Sequence, residues 1–237
     1  MAKKRSRAIS HAKQLEAISM VSKTITSNLY LEDILKLIVT VTAEIMNSKI
    51  CSLSLVDEKT KTLVLKATQS MSEAYNKKSP LHIGEGIAGK TALENRPLAV
   101  YDISKELEYK YKDIAKKEGL KSLLSVPLSV KDRVIGVLNS YTSRPHKFTK
   151  EEIDILTTVA NQAAIVIENA ELMVQTRVIQ EELQTRKCVE RAKGMLMKEQ
   201  GLSEEDAFKK IQRQSMDTRR SIREIAEAII LINSMKK

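Results

Sequence analysis

"HIGEGIAGKTALENRP", residues 82–97, satisfies two phosphate-binding patterns at once. Gly84-x4-Gly89-Lys90-Thr91 fits the P-loop, and Gly84-x-Gly86-x-x-Gly89 fits the dinucleotide fingerprint. Taken literally, either implies a parallel α/β sheet. Both need an apolar strand just upstream, to aim backbone N–H groups at the phosphates. What precedes Gly84 is "YNKKSPLHI", whose Pro80 and two lysines are too polar for a buried parallel strand. The strand before Asp102, which would have to present a Mg²⁺ ligand, is brief, and the following elements are strands joined by short turns. The glycines therefore read as a tight turn into the helix "IAGKTALEN", which carries Ile87 and Leu93 inward and stops at Pro97. The alternative is an NTP-hydrolysing enzyme built on residues 84–91, which would show Mg²⁺-dependent nucleotide binding lost in Lys90→Ala.

Outward from this stretch the hydrophobic period changes several times. Leu15, Ile18, Val21 and Ile25 mark one helix, and Ile34, Leu37, Val41 and Ile45 a second. "ICSLSLVD" from Ile50 alternates apolar and polar residues, and "TLVLKAT" follows after a short turn, which predicts a β-hairpin. Residues 69–82 are polar and loop-like. A short strand covers Leu98 to Tyr101, and a Lys-rich polar excursion runs to Gly119. "SLLSVPLSV" and "VIGVLNSYT" predict a second hairpin turning at Lys131 and Asp132. A very long helix then starts at a capping box, Thr149 with Glu152. Its apolar positions Ile153, Leu156, Ala160, Ala163, Ile167, Ala170 and Val174 alternate in threes and fours. The phase then slips to Leu172, Ile179, Leu183 and Val189, a stutter in a stretch that reads as a dimerising coiled coil over 150–190. Two shorter helices follow, capped by Ser203 with Asp206 and Ser221 with Glu224.

The 237 residues carry 40 Lys and Arg against 30 Asp and Glu, a formal net charge of +10. Such an excess favours polyanionic partners. Aromatic residues make up only 3% of the chain, with no Trp, which disfavours single-strand binding on an aromatic platform. The cysteines (Cys51 and Cys188) and histidines (His11, His82 and His146) are scattered, so neither a disulfide framework nor a metal site is expected. No apolar run is long enough for a membrane span and no signal peptide is visible, so the expected setting is the cytoplasm.

"GEGIAGKTALENRPLAVYDIS" and "LKSLLSVPLSVKDRVIGVLNSYTSRPHKFTKEEIDILTTVANQAAIVIENAEL" resemble a GAF domain, over about residues 12–172. The resemblance implies an α+β fold: an antiparallel sheet flanked by helices, sensing an unidentified small molecule. It makes the glycine-rich segment a structural turn near the ligand pocket, and it offers Lys90, Thr91, Tyr101 and Asp102 as candidate ligand contacts. The pattern of cyclic-nucleotide-binding relatives is absent, and Cys51 reads as packed in the first strand rather than as a bilin attachment site. No cofactor is assigned. A basic tail, residues 1–11, precedes this domain.

"RKCVERAKGMLMKEQGLSEEDAFKKIQRQSMDTRRSIREIAEAIIL", from Arg186, resembles an ANTAR domain, the RNA-binding module of transcription antiterminators, here spanning 177–237. Between Lys209 and Arg223 stand six basic residues against one acid, Asp217. Arg186, Lys193, Lys209, Arg213, Arg219, Arg220 and Arg223 are the candidates for phosphate and base contact. Gly194 joins them because a glycine inside a helix costs roughly 1 kcal/mol, which a close approach by RNA or by a neighbouring helix would offset. Met195, Leu196, Ile211, Met216, Ile222, Ile225 and Ile229 are expected to form a three-helix core. A helix-turn-helix DNA binder fits less well, because the last helix opens with Glu224 and Glu227 and is rich in isoleucine. The combined expectation is a homodimeric, ligand-responsive antiterminator that binds paired stem-loops in leader mRNA. A sensor that works only through protein partners is the milder alternative.

Overall fold

A computed structural model describes residues 31–235. The expected helix around Leu15–Ile25 and the basic tail lie outside the described residues. Two compact units meet between Glu171 and Leu172.

The first unit opens with α1 (Leu31–Met46), followed by β1 (Ile50–Asp57), β2 (Thr62–Thr68) and the one-turn helix α2 (Glu73–Asn76). Then come β3 (Leu81–His82), α3 (Gly86–Glu94), β4 (Leu98–Val100), α4 (Lys112–Glu118), β5 (Ser122–Val130) and β6 (Arg133–Thr142). The six strands form one antiparallel sheet in the order β3-β2-β1-β6-β5-β4. Both predicted hairpins are present. The β5–β6 turn places Lys131 (φ 48°) and Asp132 (φ 65°) in the left-handed region, as a two-residue type I′ connection requires. The 51-residue helix α5 (Lys150–Gln200) starts at the predicted capping box, where Glu152 N donates to Thr149 Oγ1 and Thr149 N to Glu152 Oε2.

Strand alternation sends Cys51, Leu53, Leu124, Val126, Leu128 and Leu138 to one face of the sheet. There they pack on Ile34, Leu35, Ile38 and Val39 of α1 and on Leu156, Ala160, Ala163 and Ile167 of α5. The buried stripe of α1 is thus displaced by one position from the expected one, and Leu37, Val41 and Ile45 flank it half-buried. The other face, with Leu123 and Tyr141, packs on Tyr75, Ile87, Ile103 and Tyr109 from the segments between β2 and β5. Helices α2 and α4 fall where the sequence reads as polar loop. Ser72 caps α2 by accepting from Tyr75 N, and Gly119 (φ 61°) ends α4.

The second unit comprises the rest of α5, α6 (Glu204–Thr218) and α7 (Ile222–Met235). Ala192, Ala207 and Ala226 are fully buried at the seam between the helices, with Val189, Leu196, Ile211 and Ile225 around them. Small residues let the backbones approach and the larger ones fill the flanks. Met216, expected in this core, is exposed instead. No described helix is long and apolar enough to cross a membrane.

Candidate functional site

The glycine stretch spends its own hydrogen-bonding capacity. Gly84 N donates to Gly89 O at 2.8 Å, and Glu85 N donates to His82 O at 2.9 Å. A Cβ on Gly89 would sit 2.5 Å from His82 O, so the turn closes on itself. Thr91 is buried, its hydroxyl donating to Ile87 O, and Lys90 pairs with Glu108. The Gly84, Glu85 and Gly89 amides and the Lys90 and Thr91 side chains, which a P-loop would direct at phosphates, are engaged within the fold, and β3 is a two-residue antiparallel edge strand. Tyr101 is exposed, and Asp102 accepts from both N and Oγ of Ser104. None of Lys90, Thr91, Tyr101 and Asp102 lines the cleft of this unit.

That cleft opens on the sheet face away from α1 and α5. It measures about 490 Å³ with its open mouth included. Its walls are mostly apolar (Leu63, Leu65, Leu81, Ile87 and Leu123) or phenolic (Tyr109, Tyr111 and Tyr141), with Ser54, Ser79 and Lys110 among them. Two polar groups stand out against them. The Lys78 ammonium lies 3.6 Å from the ring centroid of Tyr75 and 5.1 Å from that of Tyr111, with no carboxylate partner among the described residues. Desolvation pulls its pKa down to about 7. Asn139 is buried, and its Oδ1 has no hydrogen-bond partner among the described residues. None of these groups is marked by local spacing in the sequence. Their only trace is that Tyr75, Tyr109, Tyr111 and Tyr141 are half of the chain's eight aromatic residues.

In the second unit the eight expected contacts differ in availability. Lys193 is sequestered, its ammonium held between Glu190 (2.9 Å) and Glu204 (2.7 Å). Its hydrogen bonds to the Glu204 and Glu190 carboxylates raise its pKa. It ties α5 to α6 and has little charge left to offer. Lys209 pairs with Glu205, Arg223 with Glu227 and, at 3.9 Å, Arg213 with Asp217. All three pairs are exposed and of little energetic weight. Arg186, Arg219 and Arg220 are exposed and form no ion pair within 4 Å among the described residues, although Arg220 is near enough to Glu224 to help lower that carboxyl's pKa. Arg219 occupies the left-handed residue that ends α6 (φ 55°), a position that favours glycine. A shallow groove joins Arg186 to Phe208 and Ile222, and another joins Arg223 to Arg177 and Lys187, which sequence reasoning missed. Gly194 is exposed, with nothing within 4 Å of where its Cβ would stand. No neighbouring helix approaches it.

The expected dimer stripe also divides. Leu156, Ala160, Ala163 and Ile167 are at most 1% exposed, occupied by their own unit's core, with Ile153 and Ala170 half-buried beside them. Val174 is exposed, as are Leu172, Ile179 and Leu183, which follow at intervals of seven and four residues. Cys51 is fully buried, and burial pushes its thiol up to about 12.

Comparison with known proteins fits this division. The GAF domain family matches residues 29–168 and the ANTAR domain family residues 177–230. Over 56 residues the chain is 46% identical to the transcriptional regulatory protein PdtaR of Mycobacterium tuberculosis, covering 24% of this chain and 27% of that protein. It is 25% identical over 142 residues to an Escherichia coli protein of the phosphoenolpyruvate-dependent phosphotransferase system, covering 60% of this chain and 19% of that one. The chain thus spans about a quarter or less of these relatives' length. Among solved structures, the GAF domain of a phosphoenolpyruvate-protein phosphotransferase from Coxiella burnetii superposes with a TM-score of 0.61 at 25% identity, covering 69% of this chain and 98% of that one. The free methionine-R-sulfoxide reductase of Neisseria meningitidis shares the fold at 19% identity and a TM-score of 0.57, covering 68% of this chain and 91% of that one. An antiparallel sensor-type sheet with a cleft, followed by a basic three-helix unit, therefore has a plain assignment: this chain belongs to the GAF domain family and carries an ANTAR domain behind it.

Proposed function

We propose that the chain is a ligand-responsive transcription antitermination regulator that binds paired stem-loops in nascent mRNA through its second unit. The observation that carries this reading is the set of three exposed arginines held in no ion pair, Arg186, Arg219 and Arg220, on an ANTAR domain. Guanidinium groups without carboxylate partners are free to neutralise phosphates, to contact a guanine edge or to stack on a splayed loop base. Arg219 strengthens the case, because a positive-φ residue would be more stable as glycine unless its side chain were used. Phe208, 40% exposed beside Arg186, supplies a ring for base stacking. Gly194 leaves an open helix surface on which an RNA backbone can come close.

An antiterminator hairpin and a terminator hairpin compete for the same nucleotides. A protein that binds the former more tightly shifts the balance by that difference in affinity. Two copies joined through Leu172, Ile179 and Leu183 would engage two stem-loops at once, in the cytoplasm where transcripts emerge. A small molecule in the cleft of the first unit supplies the signal, and no catalysis is required.

The test is gel-shift titration of a double-hairpin leader RNA with the Arg186→Ala/Arg219→Ala/Arg220→Ala variant. Affinity should fall about 100-fold, with a shallower salt dependence. Unchanged affinity in a folded variant would remove the assignment. Sedimentation of Leu172→Ser/Ile179→Ser/Leu183→Ser should show a monomer where the parent is a dimer.

A further inference from the structure

We propose that the cleft of the first unit is a receptor for a small carboxylate, its anionic end seated on Lys78 and an adjacent N–H or O–H directed at Asn139 Oδ1. The proposal rests on reading this unit as a sensor, and it gives that sensor a ligand class.

Lys78 supplies the first half of the argument. A lysine that only helped solubility would extend its ammonium into water. Here the ammonium is drawn between the Tyr75 and Tyr111 rings, while Lys77 next to it stays exposed and pairs with Glu73. Ring faces stabilise a cation, but they do not replace the hydration lost on burial. The charged and titratable groups facing it do not compensate. The buried phenols of Tyr75, Tyr109 and Tyr141 are held neutral by desolvation. The Tyr111 hydroxyl donates to Ser79 O. At the mouth, Lys110 is taken up by Glu85 at 2.8 Å. The consequence is an ammonium whose pKa has fallen to about 7, a cation site lacking its anion.

The floor of the cleft supplies the second half independently. Asn139 lies in the middle of β6, where a packed sheet face calls for an apolar side chain, and its Oδ1 accepts nothing. Directly across the β5–β6 ladder, Ser125 is fully buried and its hydroxyl is also unpartnered. A buried acceptor without a donor is costly, so this floor favours a ligand that carries an N–H or O–H, as Lys78 favours one that carries an anion.

Other ligand classes fit less well. A hydrocarbon would leave both groups unsatisfied, and a cation would be repelled by Lys78. A phosphate ester would meet no arginine in the lining, and the Gly84, Glu85 and Gly89 amides of the neighbouring turn are already bonded to carbonyls.

The experiment is isothermal titration calorimetry of the full chain with glycolate, which carries both groups, against its neutral amide glycolamide, and with acetate as the carboxylate without a donor. Glycolate should bind saturably, acetate more weakly, and glycolamide not at all. Repetition near pH 8 in two buffers of different ionisation enthalpy should show proton uptake, because the carboxylate recharges Lys78. Lys78→Met should weaken glycolate by about ten-fold or more, whereas Lys77→Met should bind it like the parent. Glycolamide binding as tightly as glycolate would overturn the proposal, as would no saturable binding by either carboxylate or no proton uptake. Those comparisons use the parent chain, so they decide the matter even if Lys78→Met fails to fold. RNA gel shifts on the same preparations keep the two readings apart: RNA binding without carboxylate binding refutes only the ligand class, and the reverse refutes only the RNA assignment.

Discussion

Two lysines, Lys78 in the first unit and Lys193 in the second, are both drawn in from the surface, and their surroundings are opposite. Lys193 sits between two carboxylates, whose hydrogen bonds raise its pKa. Lys78 sits between two aromatic rings, and desolvation lowers its pKa to about 7. A sequestered cation with its counter-charges in place is a strut between helices. One without them is what the proposed carboxylate site requires. The difference separates structural from functional charge more reliably than exposure does, and it moves Lys193 out of the group most suited to touching RNA while bringing Lys78 into the sensor site.

The largest effect that would break this contrast belongs to Lys78→Met. Its folded pKa lies below its unfolded value, so the unfolded chain holds the extra proton between pH 7 and the ordinary lysine range. Parent stability should therefore rise with pH across that window. At pH 7 without ligand the variant should be more stable, on the order of 2 kcal/mol, and the gap should close toward pH 10. Urea melts at several pH values measure it; a variant less stable than the parent at pH 7 would show that the ring contacts already satisfy the ammonium.

Lys193→Met should act with the opposite sign and more weakly. It removes the Glu204 link between α5 and α6 together with the Glu190 pair within α5, so the chain should melt at a lower temperature at neutral pH. The raised lysine pKa places the loss of this contribution above the ordinary lysine range, and the lowered Glu204 pKa places a second loss on the acid side, as pH falls through the carboxylate range. Per-molecule RNA affinity of the folded variant should stay close to the parent's, which gel shifts at low temperature can check. The smallest effect is expected of Arg219→Gly. Relief of the positive-φ residue should add about 0.5–1 kcal/mol, while RNA affinity declines. Gain of stability together with loss of binding, measured on one preparation, is what a functional arginine at a glycine position predicts.

Much of the architecture was legible before any coordinates because it is encoded locally. The alternation in "ICSLSLVD", the Lys131–Asp132 turn and the capping boxes at Thr149 and Ser221 each depend on residues within one or two turns of one another, and each is present. The α1 stripe was read one position out because Leu35, Val39 and Ala43 continue the buried face beyond the periodic residues chosen. Helices α2 and α4 were read as loop because each is short and polar, held by caps and by a few anchors such as Tyr75 and Ala115. The cleft was not legible at all. Lys78 looks like one more solvated lysine in "YNKKSP", and Asn139 like a polar interruption in a strand. They line one cleft because the sheet order β3-β2-β1-β6 folds distant parts of the chain together, and no local period records that. In the basic unit, charge alone nominated eight residues, but only the carboxylate positions reveal which cations are already spoken for.

The tyrosine arrangement gives the chain a built-in optical reporter. There is no tryptophan to capture excitation, and the six tyrosines are Tyr30, Tyr75, Tyr101, Tyr109, Tyr111 and Tyr141, all before residue 172. Four of them surround the cleft or the Lys78 ammonium, and the three-helix unit contains none. Near-ultraviolet emission from the unlabelled protein therefore arises from the sensor side alone. A molecule entering the cleft should alter it directly, and any change on adding RNA would have to be transmitted from the other unit.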